Sequence, residues 1–233
     1  MKERVRIDSL LAATAAIFFT AFLYLFPSLF STSHQLDNAL DFLGLIIVLE
    51  GNVLRMAARG HKKANSNKSN QLVTRGPYTL VRNPMYLGSF LIGIGFILIA
   101  WPWWTLPIFA LLFYLRFKKQ IVKEEAFLNT AFGNEYKNYC SKTPRFFPSF
   151  KILSNAQPRE ILNGQELMST KEKWGLIVWP ILAVVLESIQ ETVIFGHTNI
   201  LQTILIFVSA MVFYAISFRL VFLQTSPMKK DNA

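Results

Sequence analysis

The chain has 233 residues, of which 52% are hydrophobic and 16% are charged, and its formal net charge is +10. With 21 Phe it is too apolar for an ordinary soluble domain, which indicates that the lipid bilayer is its solvent. The basic residues flank apolar runs, an arrangement that argues against a nucleic-acid partner. The single cysteine, Cys140, excludes an intrachain disulfide and a cysteine-based zinc site, and we predict no metal.

Several apolar runs are long enough, at about 20 residues, to cross a hydrocarbon core of roughly 30 Å. They comprise residues 10–30, 39–56, 86–100, 105–122, 174–195 and 200–223. The first run is too long to be a removable signal peptide. The sequence therefore predicts an all-α, polytopic membrane protein with about six transmembrane helices.

Residues 85–115 fit either one long helix or a helical hairpin that turns at residues 101–104. Lys and Arg collect in cytoplasmic loops, and the hairpin places all 24 of them on one side. The opposite loops, 31–38, 101–104 and 196–199, contain none. We therefore predict the hairpin, both termini in the cytoplasm and, because organellar targeting features are absent, a bacterial inner membrane.

The order of polar and apolar segments predicts four units along the chain. They are a first helix with its outer loop (1–38), a core (39–150), a connector (151–172) and a C-terminal two-helix unit (173–233). Residues 60–71 are polar and predict a flexible loop, which would contain His61. The connector contains several prolines, and one short helix is predicted around residues 159–168.

The most informative segment is residues 72–88, LVTRGPYTLVRNPMYLG. Asn83 is a favoured N-cap and Pro84 is favoured at the first helical position, so a helix should begin there. Its free N–H groups and positive dipole end suit a carboxylate or phosphate. Gly76 precedes Pro77, which keeps Gly76 out of the helical region. Non-helical backbone at this depth is tolerated where it lines a cavity.

Glu124 and Glu125 lie at the inner end of the fourth run, in a helix that Gly133 is placed to end. Adjacent carboxylates repel each other and need cationic or hydrogen-bonding partners. Either they belong to a solvated face with neighbouring lysines, or one binds a ligand while the other orients an arginine. Arg82 is the natural ion-pair partner, or else a clamp for an anionic substrate.

Two further carboxylates, Glu187 and Glu191, stand four residues apart on one face of the fifth run. Carboxylates within a membrane are functional candidates by default. These lie within about two turns of the outer loop, where snorkelling to water is cheap, so a structural role is the alternative.

The order GPYTLVRNPMYLG, a hydrophobic hairpin and EEAFLNTAFGNEYKNY resembles the isoprenylcysteine carboxyl methyltransferase family and its phospholipid methyltransferase relatives, over about residues 40–150. The resemblance implies a multi-span enzyme that takes a methyl group from S-adenosylmethionine. The cofactor-binding residues that it implies are Gln71, Leu72, Val73, Gly76, Tyr78, Asn83, Pro84, Met85, Tyr86 and Glu124. It also places substrate-binding positions at Arg116 and Gln120, and from the chemistry of charged groups we predict Arg82 and Glu125 as catalytic.

Two positions depart from the better-known members of this family. Asn83 stands where they have His, and it can form hydrogen bonds but cannot titrate. Gln120 aligns near a basic residue that contacts substrate in eukaryotic members, with Arg116 about one turn away.

Methyl transfer from a sulfonium is an in-line displacement, so the protein chiefly aligns the reactants and excludes water. A lipid-linked carboxylate is already ionised, whereas a phospholipid amine needs a base. Because bases are scarce, we predict a lipid or lipidated carboxylate, of isoprenylcysteine type, as the substrate. The alternatives are a phospholipid N-methyltransferase, a non-catalytic membrane binding protein, and an NADPH-dependent reductase of related fold.

Overall fold

The computed structural model describes residues 33–66, 71–196 and 199–224, together with 14, 17, 18, 20–22 and 24–30. This part of the chain contains helices and no strands, which confirms the all-α prediction. The helices are α1 (His34–Ser66), α2 (Pro84–Ala100), α3 (Leu106–Lys142), α4 (Phe150–Asn155), α5 (Pro158–Ile161), α6 (Gly164–Met168), α7 (Gly175–Phe195) and α8 (Ile200–Gln224). The first predicted span, residues 10–30, lies partly outside the described residues.

Two stretches among the described residues are long and apolar enough to cross a membrane, Lys171–Phe195 and Ile200–Leu220. A third, Pro84–Ala100, is apolar but shorter. They correspond to the fifth, sixth and third predicted runs. The prediction of about six spans is not confirmed by this count, which covers the described residues alone.

The predicted hairpin between α2 and α3 is present. Helix α2 ends at Ala100, a short 3-10 turn follows at Trp103–Thr105, and α3 begins at Leu106. Phe90 of α2 packs against Phe109 and Phe113 of α3, with ring centroids 5.6 and 5.1 Å apart. The two helices therefore run back along each other.

Gly133 interrupts α3 as the sequence predicts, since its φ of 51° and ψ of −119° are not helical. The helix does not end at Gly133, however. It resumes helical geometry and continues to Lys142, which the sequence analysis did not predict.

Close contact between α1 and α2 fixes the framework of the protein. Each helix contributes two glycines to this contact, Gly44 and Gly51 from α1 and Gly88 and Gly95 from α2. A Cβ on Gly51 would lie 2.6 Å from the carbonyl oxygen of Gly88, below any normal contact. Small residues of this kind let two backbones approach within a membrane. Residues 72–88, called the motif segment below, follow α1 in sequence and include the start of α2. The contact between the two helices therefore constrains them.

The last two helices pack against α1 and α2. One hydrophobic core contains residues from all four helices, with Phe207 only 2% exposed. Its buried members are Leu45, Val48, Leu49, Ile99, Ala183, Phe207 and Ala210. The division into four sequence units stays a prediction, but α7 and α8 share their core with the helices that carry the motif.

The connector differs from its prediction, because it contains three short helices where one was expected. Pro158 begins α5, and the Asn163 side chain caps α6 by accepting a hydrogen bond from the Gln165 N–H at 3.0 Å. Prolines and caps divide the segment into separate turns.

The predicted flexible loop at residues 60–71 is also partly wrong, since α1 continues through residue 66. His61 lies in this helix, and its Nδ1 is 2.9 Å from Glu166 of the connector. Arg55 and Arg59 form ion pairs with Glu172. These contacts attach the connector to α1, so His61 is held in place.

Snorkelling does not explain Glu187 and Glu191. Their exposed fractions are 2% and 6%, so neither carboxylate reaches the protein surface. The sequence placed them near the outer loop but could not show that other helices cover them.

Candidate active site

The motif segment folds against the C-terminal end of α1. Gly76 has a φ of +61°, the left-handed conformation anticipated from Gly-Pro, and a Cβ there would lie 3.0 Å from the His61 ring. The Tyr78 hydroxyl is 3.5 Å from the Ala58 carbonyl oxygen, and the Tyr139 hydroxyl donates to the Tyr78 carbonyl at 2.7 Å. The segment is thus fixed from two sides.

Helix α2 begins at Pro84 with Asn83 at the N-cap position, as predicted. The side chain of Asn83 does not cap the helix, however. Its Nδ2 donates to the Arg145 carbonyl oxygen at 3.1 Å and to Glu125 Oε1 at 3.4 Å. The carbonyl oxygen of Asn83 accepts the Tyr86 and Leu87 N–H groups. Asn83 therefore joins three parts of the chain instead of covering the helix start.

Glu125 is a buried carboxylate between two arginines. It is 8% exposed, and Arg82 Nη1 lies 3.2 Å from Oε1. Arg145 binds in a bidentate manner, with Nε 3.2 Å from Oε1 and Nη2 2.6 Å from Oε2. The predicted ion pair with Arg82 is therefore present. A buried charge requires such partners, and a bidentate arginine supplies both energy and orientation.

Arg82 is held by contacts beyond Glu125. Its Nη1 is 2.9 Å from Cys140 Sγ, and its backbone N–H donates to the Pro144 carbonyl at 2.8 Å. Burial has the largest single influence on the pKa of Arg82 and lowers it, but Glu125, Tyr136 and Cys140 together raise it above the ordinary value. Arg82 is therefore permanently charged.

Two tyrosines near this site are poor bases. Burial, followed by the Glu124 charge, raises the pKa of Tyr78 to about 12. Burial, followed by a hydrogen bond with Cys140, raises the pKa of Tyr136 to about 12. Both hydroxyls keep their protons at neutral pH. Hydrogen bonds from Tyr139 to the Tyr78 carbonyl and from Tyr86 to Glu124 show that the motif segment and α3 face each other.

Glu124 differs from its neighbour because it is exposed. Its Oε1 accepts the Tyr86 hydroxyl at 2.9 Å and Gln120 Nε2 at 2.7 Å. These two adjacent carboxylates thus have separate roles: Glu125 is fixed by arginines, while Glu124 is accessible beside the start of α2.

An apolar cavity of about 260 Å³ lies between α2, α3 and the residues that follow α3. Most of its lining is aromatic, and Lys118 and Arg145 are its two cationic members. The lining consists of Phe90, Ala110, Phe113, Tyr114, Phe117, Lys118, Ile121, Val122, Arg145, Phe146 and Phe147. Arg145 therefore contacts the buried Glu125 and borders the apolar space at the same time.

The residues predicted to bind substrate, Arg116 and Gln120, do not line this cavity. Arg116 is exposed and lies over the Phe117 ring, 5.8 Å from its centroid, outside the cavity lining. Gln120 binds Glu124, which the resemblance assigns to the cofactor.

The beginning of the predicted cofactor segment is irregular. Gln71 is exposed, and Leu72 and Val73 are half-buried in a stretch that leads into the Gly76 turn. Met85 is half-buried in the first turn of α2, and its carbonyl oxygen accepts the Ser89 hydroxyl at 3.0 Å. The assignment of these residues to a cofactor stays a prediction.

Sequence reasoning missed Arg145, Phe146 and Phe147. The segment TPRFFP, residues 143–148, follows α3 at the end of the predicted core, and the sequence analysis assigns it no role. An arginine between a proline and two phenylalanines was the signal that could have identified it, because a connector exposed to water has little use for paired phenylalanines.

The fold and site define an all-helical protein in which a buried Glu–Arg network adjoins an aromatic cavity. Residues 41–135 match the phospholipid methyltransferase family. This match and the relatives described next confirm the resemblance seen in the motifs. The family match begins within α1, includes α2 and ends within α3, before Arg145 and the last two helices.

Several curated relatives are similar to the chain. A protein-S-isoprenylcysteine O-methyltransferase of Schizosaccharomyces pombe is 32% identical over 129 residues, 53% of this chain and 55% of that protein. The enzyme of the same name from Xenopus laevis is 34% identical over 120 residues, 48% and 42% of the two chains. A cobalt-zinc-cadmium resistance protein of Cupriavidus metallidurans is 35% identical over 88 residues, 38% and 40%. The chain thus spans about half the length of these relatives, and no solved structure matches it.

Proposed function

We propose that this protein is an integral membrane methyltransferase that transfers a methyl group from S-adenosylmethionine to a lipid-linked carboxylate of isoprenylcysteine type. The observation that carries the proposal is the position of Arg145, which lines the aromatic cavity and binds the buried Glu125. The names of the similar proteins, methyltransferases for lipidated cysteine, support the same reaction.

The groups around the start of α2 fit such a methyl donor. S-adenosylmethionine presents a carboxylate, an ammonium group and ribose hydroxyls, and when bound it supplies an electrophilic methyl group. Glu124 offers an accessible carboxylate for the ammonium or the hydroxyls. The start of α2 offers a positive dipole end for the donor's carboxylate. Tyr78 and Tyr86 border the same region, since Tyr86 binds Glu124 and the Glu124 charge acts on Tyr78.

The aromatic cavity fits the lipid part of an acceptor. Its walls are mostly aromatic, which favours a prenyl or acyl chain through burial of apolar surface. Lys118 and Arg145 provide the positive charge that attracts a carboxylate. The neighbouring face of α3 is open, with Leu111 and Leu112 58% and 59% exposed, so an acceptor in the bilayer can approach from this side.

The chemistry requires no base, because the acceptor carboxylate is already ionised. Tyr78 and Tyr136 cannot serve as bases at neutral pH, since their pKa values are raised to about 12. We assign the contact with the acceptor carboxylate to Arg145. Arg82 and Glu125, the predicted catalytic residues, then act as positioning residues that orient Arg145. Alignment and exclusion of water supply the rate enhancement.

We further propose that about six helices cross the membrane, with both termini in the cytoplasm of a bacterium. The two long apolar helices and the asymmetric distribution of Lys and Arg support this topology. It places the motif segment and Glu124 on the side where soluble S-adenosylmethionine is available.

A methyl-transfer assay tests the proposal. The purified chain in lipid nanodiscs is incubated with S-adenosylmethionine labelled in the methyl group, together with either an N-acetylated farnesylcysteine or phosphatidylethanolamine. We expect label on the farnesylcysteine that alkali releases as methanol, the signature of a methyl ester. Alkali-stable label on phosphatidylethanolamine alone would indicate a phospholipid N-methyltransferase. Donor binding without transfer to either acceptor would indicate a non-catalytic binding protein.

A further inference from the structure

A group of buried acidic side chains lies far from the proposed methyl-transfer site. Asp37 and Asp41 are about one turn apart near the start of α1, and Glu187 lies on α7. Their exposed fractions are 8%, 2% and 2%. About 17 residues of α1, or roughly 25 Å, separate Asp41 from Ala58, the contact of Tyr78. The acidic cluster of Asp37, Asp41 and Glu187 is therefore a distinct feature of the fold.

The spacing of the three carboxylates fits a shared cation. One oxygen from each side chain lies within 4.8 Å of the others. Ligands that bind one Ca²⁺ at 2.3–2.6 Å are at most about 5 Å apart, and those of Mg²⁺ or Mn²⁺ are closer. Three ionised carboxylates at such distances repel each other strongly in a low-dielectric interior.

In the described part of the chain, no arginine or lysine forms an ion pair with the acidic cluster. Among the ion pairs of the described residues, none includes Asp37, Asp41 or Glu187. His34 precedes Asp37 on α1 and stacks on the Phe195 ring, with centroids 3.9 Å apart. This situation differs from that of Glu125, which two guanidinium groups neutralise.

A neutral side chain provides an independent indication of a ligand. Gln190 is 3% exposed, and its Nε2 donates to Asp37 Oδ1 at 3.2 Å, which places the amide against the acidic cluster. Its Oε1 is buried and has no hydrogen-bond partner among the described residues, like Asp41 Oδ1 and Glu187 Oε2. A buried polar atom left unpaired costs about 1–3 kcal/mol. An amide oxygen does not take up a proton near neutral pH, so this atom needs a donor or a cation.

We propose that Asp37, Asp41, Glu187 and Gln190 bind one hard divalent cation of the Mg²⁺, Mn²⁺ or Ca²⁺ class. All of the available ligand atoms are oxygens, which favours these ions over softer metals. Glu191 stays outside the site, because its Oε2 accepts the Asn199 N–H at 3.2 Å and the Thr203 hydroxyl at 3.4 Å. The cation neutralises charge within the membrane and links α7 to α1. The proposal thus departs from the sequence analysis, which predicts no metal.

Direct metal binding tests the site. The full chain in nanodiscs is freed of metal with a chelator, which is then removed, and the protein is titrated with Mn²⁺ while paramagnetic resonance measures the free ion. We expect one Mn²⁺ per chain, displaced by excess Mg²⁺ or Ca²⁺, and a higher thermal midpoint when it is bound. Glu187→Gln and Asp41→Asn should each weaken binding at least about tenfold. Glu50→Gln is the matched control, since Glu50 lies on α1 but binds Tyr214.

The outcomes are separable. Binding that is lost in Glu187→Gln and Asp41→Asn but kept in Glu50→Gln supports the site. Absence of saturable Mn²⁺ binding up to millimolar concentration in the unmodified chain overturns it, as does undiminished binding in both variants. If size-exclusion chromatography shows that one variant is misfolded, Asp37→Asn replaces it and the same criteria hold.

Discussion

Two buried acidic sites at opposite ends of α1 solve the same electrostatic problem differently. Near the motif segment, Glu125 is 8% exposed and is held by Arg82 and Arg145. At the other end, Asp41 and Glu187 are each 2% exposed, and no arginine or lysine pairs with them among the described residues. The two sites are similarly buried but differ in the cationic partners of their carboxylates. The first site is complete in itself, whereas the second has no arginine or lysine partner in the part of the chain that the structure describes.

This difference separates the roles of the two ends. The Glu125 network fixes the orientation of Arg145, so its value lies in precise positioning next to the aromatic cavity. The acidic cluster lies between α1 and α7, so its value lies in holding helices together. Substitutions in the Glu125 network and in the acidic cluster should therefore have different effects. For Glu125→Gln and Asp41→Asn, we expect shifts of the thermal midpoint in opposite directions.

Removal of the central carboxylate should have the largest effect. Glu125→Ala leaves two guanidinium groups without their partner, which should cost about 3 kcal/mol of stability and lower the thermal midpoint. Methyl transfer should fall by at least about 100-fold, because Arg145 loses its orientation. Glu135→Ala, an exposed change on the same helix, is the control. Full activity in Glu125→Ala would show that the network has no positioning role.

A conservative change at Arg145 should act on the acceptor alone. Lysine keeps the charge but cannot bind Glu125 in a bidentate manner, so Arg145→Lys should lower kcat/KM for the acceptor by about 10- to 100-fold. The KM for S-adenosylmethionine should not change, since the donor is assigned to Glu124 and the start of α2. Arg219→Lys, on the exposed face of α8, should leave both parameters unchanged. Equal effects on donor and acceptor would contradict the assignment of Arg145.

When metal is absent, removal of a carboxylate from the acidic cluster should raise the thermal midpoint, whereas removal of the Glu125 carboxylate should lower it. In the presence of chelator, Asp41→Asn should raise the thermal midpoint, by the equivalent of about 1 kcal/mol, because it removes an uncompensated buried charge. Glu125→Gln should lower the midpoint under the same conditions, because it leaves its arginines unpaired. Thermal unfolding of both variants in one buffer tests the comparison directly, and a shift of the same sign in both would refute it.

The smallest effect is expected from the tyrosine that fixes the motif segment. The pKa of Tyr78 is raised to about 12 in the folded chain against 10.0 ordinarily, so its contribution to stability is present below pH 10 and is lost as pH rises to 12. Tyr78→Phe should change little at pH 7, since the hydroxyl contact is long, and should lose stability less steeply above pH 10. Unfolding measured from pH 7 to pH 12 checks this. Parallel curves for both proteins would mean that Tyr78 does not titrate as described.

The sequence predicted the features that depend on neighbouring residues. Apolar runs predicted the helices, Asn83-Pro84 predicted the start of α2, and Gly76 before Pro77 predicted a residue outside the helical region, as its φ of +61° shows. The hairpin between α2 and α3 followed from charge asymmetry. The helices, the helix start and the turn depend on backbone preferences or hydrophobicity within a few residues, whereas the hairpin depends on the distribution of Lys and Arg along the whole chain.

Partners across helices were harder to predict. The pairing of Arg82 with Glu125 was predicted because adjacent carboxylates need a cationic partner, but the contact with Arg145 was not. The side chain of Asn83 was expected to cap α2, and it instead binds Glu125 and the Arg145 backbone. A cap and a tertiary hydrogen bond compete for one amide, and the packing of α3 decides between them.

The sequence by itself determined that this is an all-helical chain with a phospholipid-methyltransferase-like segment, and where its main turns and helix starts lie. Only the tertiary structure decided which charges meet. It placed Arg145 beside Glu125 and the aromatic cavity, and it joined Gln190 to Asp37 across 153 residues. The reason is physical: helix formation follows from short-range periodicity, whereas burial and pairing of charges depend on which helix faces pack together.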